Sequence, residues 1–281
     1  MPSKRNGVML CYPFEERRFH RLGRLKVGQP KIEGDRCRAV IKKGGCVELY
    51  SSSSIPITSM PHIEKALMEQ FPNQDLELDG ELYHHGWTQG RINSMCTTKT
   101  FLPHGYDEIE YWVYDIVNLD PQMDRLLQLR SLKPKHPLVH VGHKMVETTE
   151  DAMQFFEECR NLGFEGAIFR SSIAIYFPKK TPNVLKMKPR VAGEYPIVGY
   201  TEEYTIHGEP KNALGAFTLQ TPEGELFNVG TGFTREQRLE YWQRRDSLIG
   251  WSAKIRFQDL TERLIPYALS FVKLIDPSTG R

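Results

Sequence analysis

Residues 75–82 constrain the fold most, because apolar and acidic side chains alternate strictly along them. Side chains of a β-strand point alternately to its two faces. One face therefore carries Leu76, Leu78 and Leu82, and the other carries Glu77, Asp79 and Glu81. The acids repel one another unless cations or hydroxyl groups meet them. The pattern predicts a strand whose acidic face meets such groups.

Residues 29–36 place a lysine, Lys31, at the end of a short extended run, after Pro30 and before a glycine turn at Gly34. This arrangement suits an amine that is presented to an electrophile. A nucleophilic lysine must lose its proton, which nearby cations or a desolvated pocket favour by lowering its pKa. Lys186 and Lys188 lie on one face of a strand by the period of two. They are candidates for the cation cluster and for binding a phosphate.

Further residues match what such a lysine would need. Glu81 and Glu165 are candidates for a sugar hydroxyl and a divalent metal, and Tyr114 offers a flat face to a purine. Each residue alone has an ordinary interpretation: a solvated lysine, an exposed strand face, a turn glutamate or a core tyrosine. His84 and His85 have no third ligand at a zinc-like spacing, which favours exposed imidazoles. The ordered set of residues favours the functional interpretation.

Composition narrows the class of protein. The 281 residues are 40% hydrophobic and 26% charged, which favours a soluble protein with two domains. The net charge is only +2, but residues 1–43 hold 12 Lys/Arg against 4 Asp/Glu, which suggests a polyanionic partner, nucleic acid before membrane. Five scattered cysteines predict reduced thiols. With neither a signal peptide nor an apolar span, the sequence predicts a cytoplasmic protein.

The coarse pattern predicts a mixed α/β body followed by a small β-barrel. We expect a hairpin around the two-residue turn Gly44-Gly45, a helix with Ser59 as N-cap and Pro61 in its first turn, and helices over 121–131 and 149–162. Further strands are expected at 111–117, 164–170 and 184–188. After Pro189, five short strands and one helix fit a closed barrel of the OB type. The predicted domains are residues 1–189 and 190–281.

Five segments in order resemble the nucleotidyltransferase motifs of ATP-dependent DNA ligases: KIEGDR (31–36), DGEL (79–82), YWVYD (111–115), EGAIFR (165–170) and LKMK (185–188). The GTGFT stretch (230–234), with Arg238, Trp242 and Ile249-Gly250, resembles the OB domain of the small viral and bacterial members. The resemblance implies an α+β fold, with an ATP-grasp-like mixed α/β adenylation domain and a C-terminal OB-fold barrel. It also implies a monomer that seals 5′-phosphate/3′-hydroxyl nicks in duplex DNA during DNA repair, replication or recombination.

The resemblance assigns roles by position. Lys31 would attack the α-phosphorus of ATP and form a lysyl-adenylate, with Mg²⁺ or Mn²⁺ as the metal. Contacts with the nucleotide are implied for Gln29, Pro30 and Ile32 near the adenine, Arg36 and Glu81 at the ribose, Tyr114 stacked on the base, and Lys186 and Lys188 at the α-phosphate. Glu165 and Glu81 would bind the metal, and the AMP would pass to the 5′-phosphate of a nick.

Some positions depart from the family pattern. Glu33 stands where an aspartate is usual, and residues 51–54 are serines where the family often has an arginine for the nick phosphate. Arg36 and Arg38 are predicted to compensate by binding DNA. In the last OB strand only Lys273 is available to help expel pyrophosphate. The absence of a preceding DNA-binding domain, and the short connection over 202–215, suggest a minimal ligase whose DNA affinity depends steeply on salt.

Other functions are compatible with part of the pattern. RNA ligases and mRNA-capping guanylyltransferases share the lysine motif, and Glu33 slightly favours RNA ligases, whereas the GTGF stretch favours nicked duplex DNA. NAD⁺-dependent ligases are disfavoured, because no nicotinamide-binding domain precedes the motifs and no cysteine zinc module follows them. A non-catalytic nucleic-acid-binding OB protein is a remote alternative, which the intact Lys31, Lys186 and Lys188 argue against.

Overall fold

The structure is a computed structural model that describes residues 7–257, 259–261, 263–267 and 269–277. The chain divides into two compact units, Met1–Lys188 and Pro189–Arg281. In chain order the first unit contains β1 (Leu10–Pro13), α1 (Glu16–Arg21), β2 (Lys26–Lys31), β3 (Asp35–Lys42), β4 (Cys46–Ser51), α2 (Pro61–Gln70), β5 (Leu76–Tyr83), α3 (Gln89–Cys96), β6 (Glu110–Ile116), α4 (Gln122–Leu132), β7 (Leu138–His140), β8 (Lys144–Val146), α5 (Thr149–Asn161), β9 (Gly166–Ser171) and β10 (Lys180–Met187).

One five-stranded sheet of the first unit has the order β1-β10-β9-β2-β8. Strand β9 is buried along its whole length, because it lies between β10 and β2 and pairs antiparallel with both. Lys31 lies opposite Gly166, and Met187 lies opposite Ala167. The end of β2, the start of β9 and the end of β10 therefore meet at one end of the sheet.

A second five-stranded sheet has the order β4-β3-β5-β6-β7. Strand β5 confirms the predicted alternation, because Leu78 and Leu82 are buried in the core beneath the sheet. On the acidic face Arg38 Nε lies 3.2 Å from Glu77, and Arg36 pairs with Asp79. Cations from the neighbouring strand β3 thus meet the acids, as the pattern predicts.

Apolar helix faces cover both sheets. Ile63 and Leu67 of α2 are fully buried against the second sheet, and the aromatic rings of α1 and α5 pack on the first sheet around Phe169. The helices predicted over 121–131 and 149–162 correspond to α4 and α5. Gly163 follows α5 with φ +84°, a left-handed conformation that glycine adopts without steric cost.

Two local predictions are wrong. Ser59 does not cap α2: Pro61 is its first residue, so Met60 is the N-cap, and the Ser59 hydroxyl donates to the carbonyl of Cys96 at 2.7 Å instead. The hairpin between β3 and β4 does not have a two-residue turn. Lys42 pairs with Cys46, which leaves residues 43–45 in the turn, with both glycines at positive φ.

The second unit contains β11 (Val191–Tyr204), β12 (Pro210–Gln220), β13 (Leu226–Val229), α6 (Arg235–Gln243), β14 (Ser252–Phe257), β15 (Asp259–Leu260), β16 (Pro266–Tyr267) and β17 (Ser270–Ile275). Its main sheet has the order β13-β12-β11-β14-β17. The first part of β11 pairs with β14 and the second part with β12, as in an OB-type barrel. Closure is partial: in the described part of this unit no ladder joins β13 to β17, although Phe271 N donates to Thr231 O at 2.9 Å.

Among the residues that the structure describes, no helix is both long and apolar enough to span a membrane.

Candidate active site

A polar cavity of about 500 Å³ opens in the first unit. Its lining includes all the residues that the sequence predicts to contact a nucleotide: Gln29, Pro30, Lys31, Ile32, Arg36, Glu81, Tyr114, Glu165, Lys186 and Lys188. They come from β2, β3, β5, β6, β10 and the residues that flank β2, β9 and β10. A volume of this size can hold a small-molecule ligand such as a nucleotide.

Lys31 lies at the point where the ends of three strands meet. The amide of Glu165 donates to the Lys31 carbonyl at 3.1 Å, which brings the two side chains together. The Glu165 carboxylate forms ion pairs with Lys31 through one oxygen and with Lys188 through the other. The three side chains are only 12–21% exposed. One carboxylate therefore holds two ammonium groups in a confined space.

Two glycines allow this close approach of strands. A Cβ atom on Gly166 would lie 2.1 Å from the carbonyl oxygen of Met187, and one on Gly34 would lie 2.3 Å from that of Leu82. Contacts this short would push the backbones apart. A larger residue at either position would therefore displace the strands that carry the lysines and Glu81.

Lys186 adds a third amine to the cavity lining. Burial, and after it the ammonium groups of Lys188 and Lys31, lower the pKa of Lys186. Three lysines around a single carboxylate attract an anion, because the local charge is positive even with Glu165 ionised. This part of the cavity suits phosphate groups.

Another part of the lining centres on Tyr114. Its backbone carbonyl accepts a hydrogen bond from Gln29 Nε2 at 3.1 Å, and its ring lies 5.3 Å from the guanidinium carbons of both Arg36 and Arg170. The Tyr114 hydroxyl donates toward Glu81 at 3.3 Å. Burial raises the pKa of Glu81 to about 7, although Arg36 and Lys31 oppose the shift. Near neutral pH Glu81 therefore exists in both protonation states.

Sequence reasoning missed a buried hub at Asp79. Its fully buried carboxylate accepts from Arg36 Nε at 2.7 Å and from the hydroxyl of Tyr176 at 2.6 Å. Arg36 also donates to the carbonyl of Met9 at 3.1 Å. The acidic strand face indicated that Asp79 needed a cation, but the tyrosine comes from a loop far along the chain.

A second buried network was also missed. Arg170 donates to Gln29 Oε1 at 3.1 Å and to Asp115, and Asp115 is bound in turn by the fully buried Arg125. These bonds fix the orientation of the Gln29 amide. A lone arginine after the apolar residues Ala167, Ile168 and Phe169 of β9 was the available signal, since a buried guanidinium requires partners.

The predicted DNA and metal residues lie as follows. Arg36 is held inside the cavity by Asp79, whereas Arg38 is outside the lining and bonds to Gly7 O at 3.2 Å and to Glu77. Their contact with DNA stays a prediction. Glu81 and Glu165 both line the cavity, but the described residues contain no cluster of three metal-ligating side chains.

Comparison with known proteins follows the division of the chain. The sequence model for the "ATP dependent DNA ligase domain" matches residues 8–188, and that for the "DNA ligase OB-like domain" matches residues 207–274. The chain is 26% identical over 165 residues to a DNA ligase of Haemophilus influenzae, which covers 57% of this chain and 59% of that protein. It is 27% identical over 221 residues to a DNA ligase of African swine fever virus, covering 72% and 50%. The chain spans about half the length of the curated relatives that it matches.

Solved structures share the fold. A Lig E DNA ligase, described as binding DNA with a minimal scaffold, superposes with a TM-score of 0.64 at 21% identity, over 95% of this chain and 98% of the other. The Chlorella virus DNA ligase-adenylate superposes with a TM-score of 0.53 at 20% identity, over 97% and 99%. Because the first family model covers more than half of the sequence and includes the whole cavity lining, the chain belongs to the ATP-dependent DNA ligase family.

Proposed function

We propose that the protein is an ATP-dependent DNA ligase that joins the 5′-phosphate and 3′-hydroxyl of a nick in duplex DNA. The observation that carries this proposal is the shared Glu165 carboxylate, which holds Lys31 and Lys188 in a cavity of nucleotide size. A lysine at the end of a buried strand, paired with a carboxylate and surrounded by further cations, can act as a nucleophile toward a phosphoryl group. This proposal includes action inside the cell, as a monomer, in DNA repair, replication or recombination.

The first step forms a lysyl-adenylate. The neutral Nζ of Lys31 attacks the α-phosphorus of ATP, a P–N bond forms, and the bond to the oxygen bridging to the β-phosphate breaks with release of pyrophosphate. Glu165, in contact with Lys31 Nζ, is placed to accept the proton that the amine loses. Lys186 and Lys188 hold the α-phosphate oxygens as negative charge develops on them.

Two further displacements complete the reaction. An oxygen of the 5′-phosphate at the nick attacks the phosphorus of the bound AMP, the P–N bond breaks, and Lys31 is released. The 3′-hydroxyl then attacks the 5′-phosphorus, the phosphodiester forms and AMP leaves. All of the displacements occur at phosphorus, so one set of cations serves them in turn.

The remaining lining residues bind the nucleoside. In this proposal Arg36 and Glu81 bind the ribose, which is supported by the bond that holds the Arg36 guanidinium on Asp79 and by the position of both residues in the cavity lining. Tyr114 supplies an aromatic surface for adenine, and Gln29, Pro30 and Ile32 form the neighbouring wall. The network from Arg125 through Asp115 and Arg170 keeps the Gln29 amide in one orientation.

A Mg²⁺ ion is part of this proposal, with Mn²⁺ as a substitute. Mg²⁺ is usually held by one or two carboxylates together with phosphate oxygens and waters, so Glu165 and Glu81 fit it without a third protein ligand. When bound, the ion neutralises charge on the phosphates. Glu165 would hold the ion together with Glu81 while it remains the partner of Lys31 and Lys188.

Covalent labelling tests the proposal. The protein is incubated with ATP, GTP or NAD⁺, each labelled in the nucleotide that would be transferred, together with Mg²⁺, and is then denatured. We expect label from ATP only, loss of label in both Lys31→Ala and Lys31→Arg, and full label in Lys65→Ala, which alters an exposed lysine on α2. Label retained by the Lys31 variants would overturn the proposal.

The nucleic acid substrate is tested separately with nicked duplexes. We expect the adenylated protein to seal a nick between DNA strands faster than the same nick between RNA strands. Preferential sealing of the RNA nick would identify an RNA ligase, and label from GTP without sealing would identify a capping-type enzyme.

A further inference from the structure

A stack of three side chains lies around the start of α3, outside the cavity lining, and takes no part in the proposed chemistry. The Arg91 guanidinium carbon lies 3.3 Å from the centre of the Trp87 ring, and the His84 ring stacks on Trp87 with centroids 4.2 Å apart and planes at 19°. Arg91 is exposed, whereas Trp87 is partly buried and packs against the core of the second sheet. The core thus supports the tryptophan, and the tryptophan supports the arginine.

The stack is connected to the cavity through α3. Ile92, Met95 and Cys96 face the core, which leaves the other side of the helix exposed. Gln89, in the first turn, lines the cavity, and Asn93 donates to both carboxylate oxygens of the cavity residue Asp35 at 3.0 and 3.2 Å. Arg91 is two residues from each of them, and residues two apart do not share a helix face, so it lies on another side of α3, outside the cavity lining.

The charge around Arg91 suits a polyanion. Residues 82–106 contain no Asp or Glu, but they include Arg91, Lys99 and three histidines. Among the residues that the structure describes, no carboxylate lies within ion-pair distance of Arg91; Glu108, 4.0 Å from His84 Nε2, is the acid nearest to the stack for which a contact is seen. An exposed guanidinium that rests on an indole and lacks a protein anion is already ordered for a phosphate, since the stacking limits its freedom before binding.

We propose that Arg91, held on Trp87, binds a backbone phosphate of the nucleic acid duplex. This inference rests on the proposed function and adds to it a contact outside the nucleotide-binding residues. The two arginines that the sequence predicts to bind DNA, Arg36 and Arg38, are paired with protein carboxylates. Arg91 would supply a DNA-binding cation of the first unit that is not paired in this way. The contact is to the backbone, so it is independent of base sequence.

The test measures binding of the 281-residue chain to a 5′-phosphorylated nicked duplex, in EDTA and without ATP, at several salt concentrations. We expect Arg91→Ala to raise Kd roughly five- to tenfold and to reduce the slope of log K against log[salt] by about 0.9, the loss of one phosphate contact. Arg91→Lys should keep the slope, because it keeps the charge. The matched control, Arg130→Ala, removes an exposed arginine of α4 that does not line the cavity, and should leave both quantities unchanged.

The outcomes separate this inference from the proposed function. If the parent protein binds and seals the nick but Arg91→Ala binds it like Arg130→Ala, Arg91 only covers Trp87 and the inference is overturned. A slope for Arg91→Lys as low as that for Arg91→Ala would also overturn it. If the parent protein forms no adenylate and does not bind the duplex, the proposed function fails together with the inference. Self-adenylation of Arg91→Ala at the parental rate shows that the nucleotide pocket is intact in the variant.

Discussion

Arg36 binds Asp79 through Nε and a terminal guanidinium nitrogen, and this pair joins the cavity wall to the interior of the first unit. Asp79 is fully buried and Arg36 is 18% exposed, whereas the similar pair of Arg38 and Glu77, on the same two strands, is 21% and 32% exposed. Both pairs join an arginine of β3 to a carboxylate at the same offset on β5. They differ in the burial of that carboxylate, which is complete for Asp79 and partial for Glu77. Asp79 also accepts from Tyr176, so its carboxylate has more partners to lose.

Replacing Asp79 should cost far more stability than replacing Glu77. Asp79→Ala leaves the Arg36 guanidinium and the Tyr176 hydroxyl without their buried acceptor, and we expect a loss of about 3–5 kcal/mol in the free energy of unfolding. Glu77→Ala should cost less than about 1 kcal/mol, because its pair is partly solvated. Urea unfolding of both variants measures the difference, and equal losses would contradict it.

Glu165 should control the rate of self-adenylation. Glu165→Gln keeps the size of the side chain but removes the negative charge that contacts Lys31 and Lys188 and the group placed to accept a proton. We expect the rate of label transfer at saturating ATP to fall by about 10²-fold or more. Glu158→Gln, which alters a surface pair with Lys144, should label at the parental rate. The experiment is a quenched time course with labelled ATP, and an unchanged rate in Glu165→Gln would refute the role.

Glu81 should make stability depend on pH. Burial raises its folded-state pKa to about 7, above the value of about 4.3 in an unfolded chain. Between these values the folded state binds more protons than the unfolded state, so the contribution of Glu81 to stability is present below the lower pKa and is lost as pH rises to about 7. Glu81→Gln removes this dependence. The difference in free energy of unfolding, variant minus parent, should therefore increase from pH 5 to pH 8; a constant difference would contradict the shifted pKa.

Most of the longer strands of the first unit and ten residues of the cavity lining could be predicted because they belong to short patterns. The alternation over 75–82 identifies β5 from neighbouring residues alone, and the KIEGDR and LKMK segments place Lys31, Lys186 and Lys188 on strand ends. The structure brings these segments to one cavity. Their roles toward ATP stay predictions that the labelling experiments test.

Contacts between distant segments could not be predicted. Asp79 meets Tyr176 across 97 residues, and Gln29 meets Arg170 across 141, so no local pattern contains either pair. Helix α3 was missed because it is short and mostly polar, with only three buried residues on its core side. For α2, Pro61 takes the first helical position, so the residue before it, Met60, is the N-cap. The prediction chose Ser59, one residue too early, because serine is a common N-cap residue.

In the second unit, Arg238 should stabilise the barrel more than its neighbour Arg235. Arg238, on α6, donates to three backbone carbonyls: Leu214 at 2.6 Å, Gly215 at 2.9 Å and Gly230 at 2.5 Å. These bonds join the helix to β12 and to the residue after β13, and carbonyls that lose a buried donor pay a desolvation penalty.

We expect Arg238→Met to lower the free energy of unfolding by about 2–3 kcal/mol. Arg235→Met removes a half-exposed ion pair with Glu203 and should cost less than about 1 kcal/mol. Denaturant unfolding followed by tryptophan fluorescence, which reports on Trp242 and Trp251 of this unit together with Trp87 and Trp112 of the first unit, measures both. An Arg238→Met loss no larger than that of Arg235→Met would show that water replaces the lost hydrogen bonds.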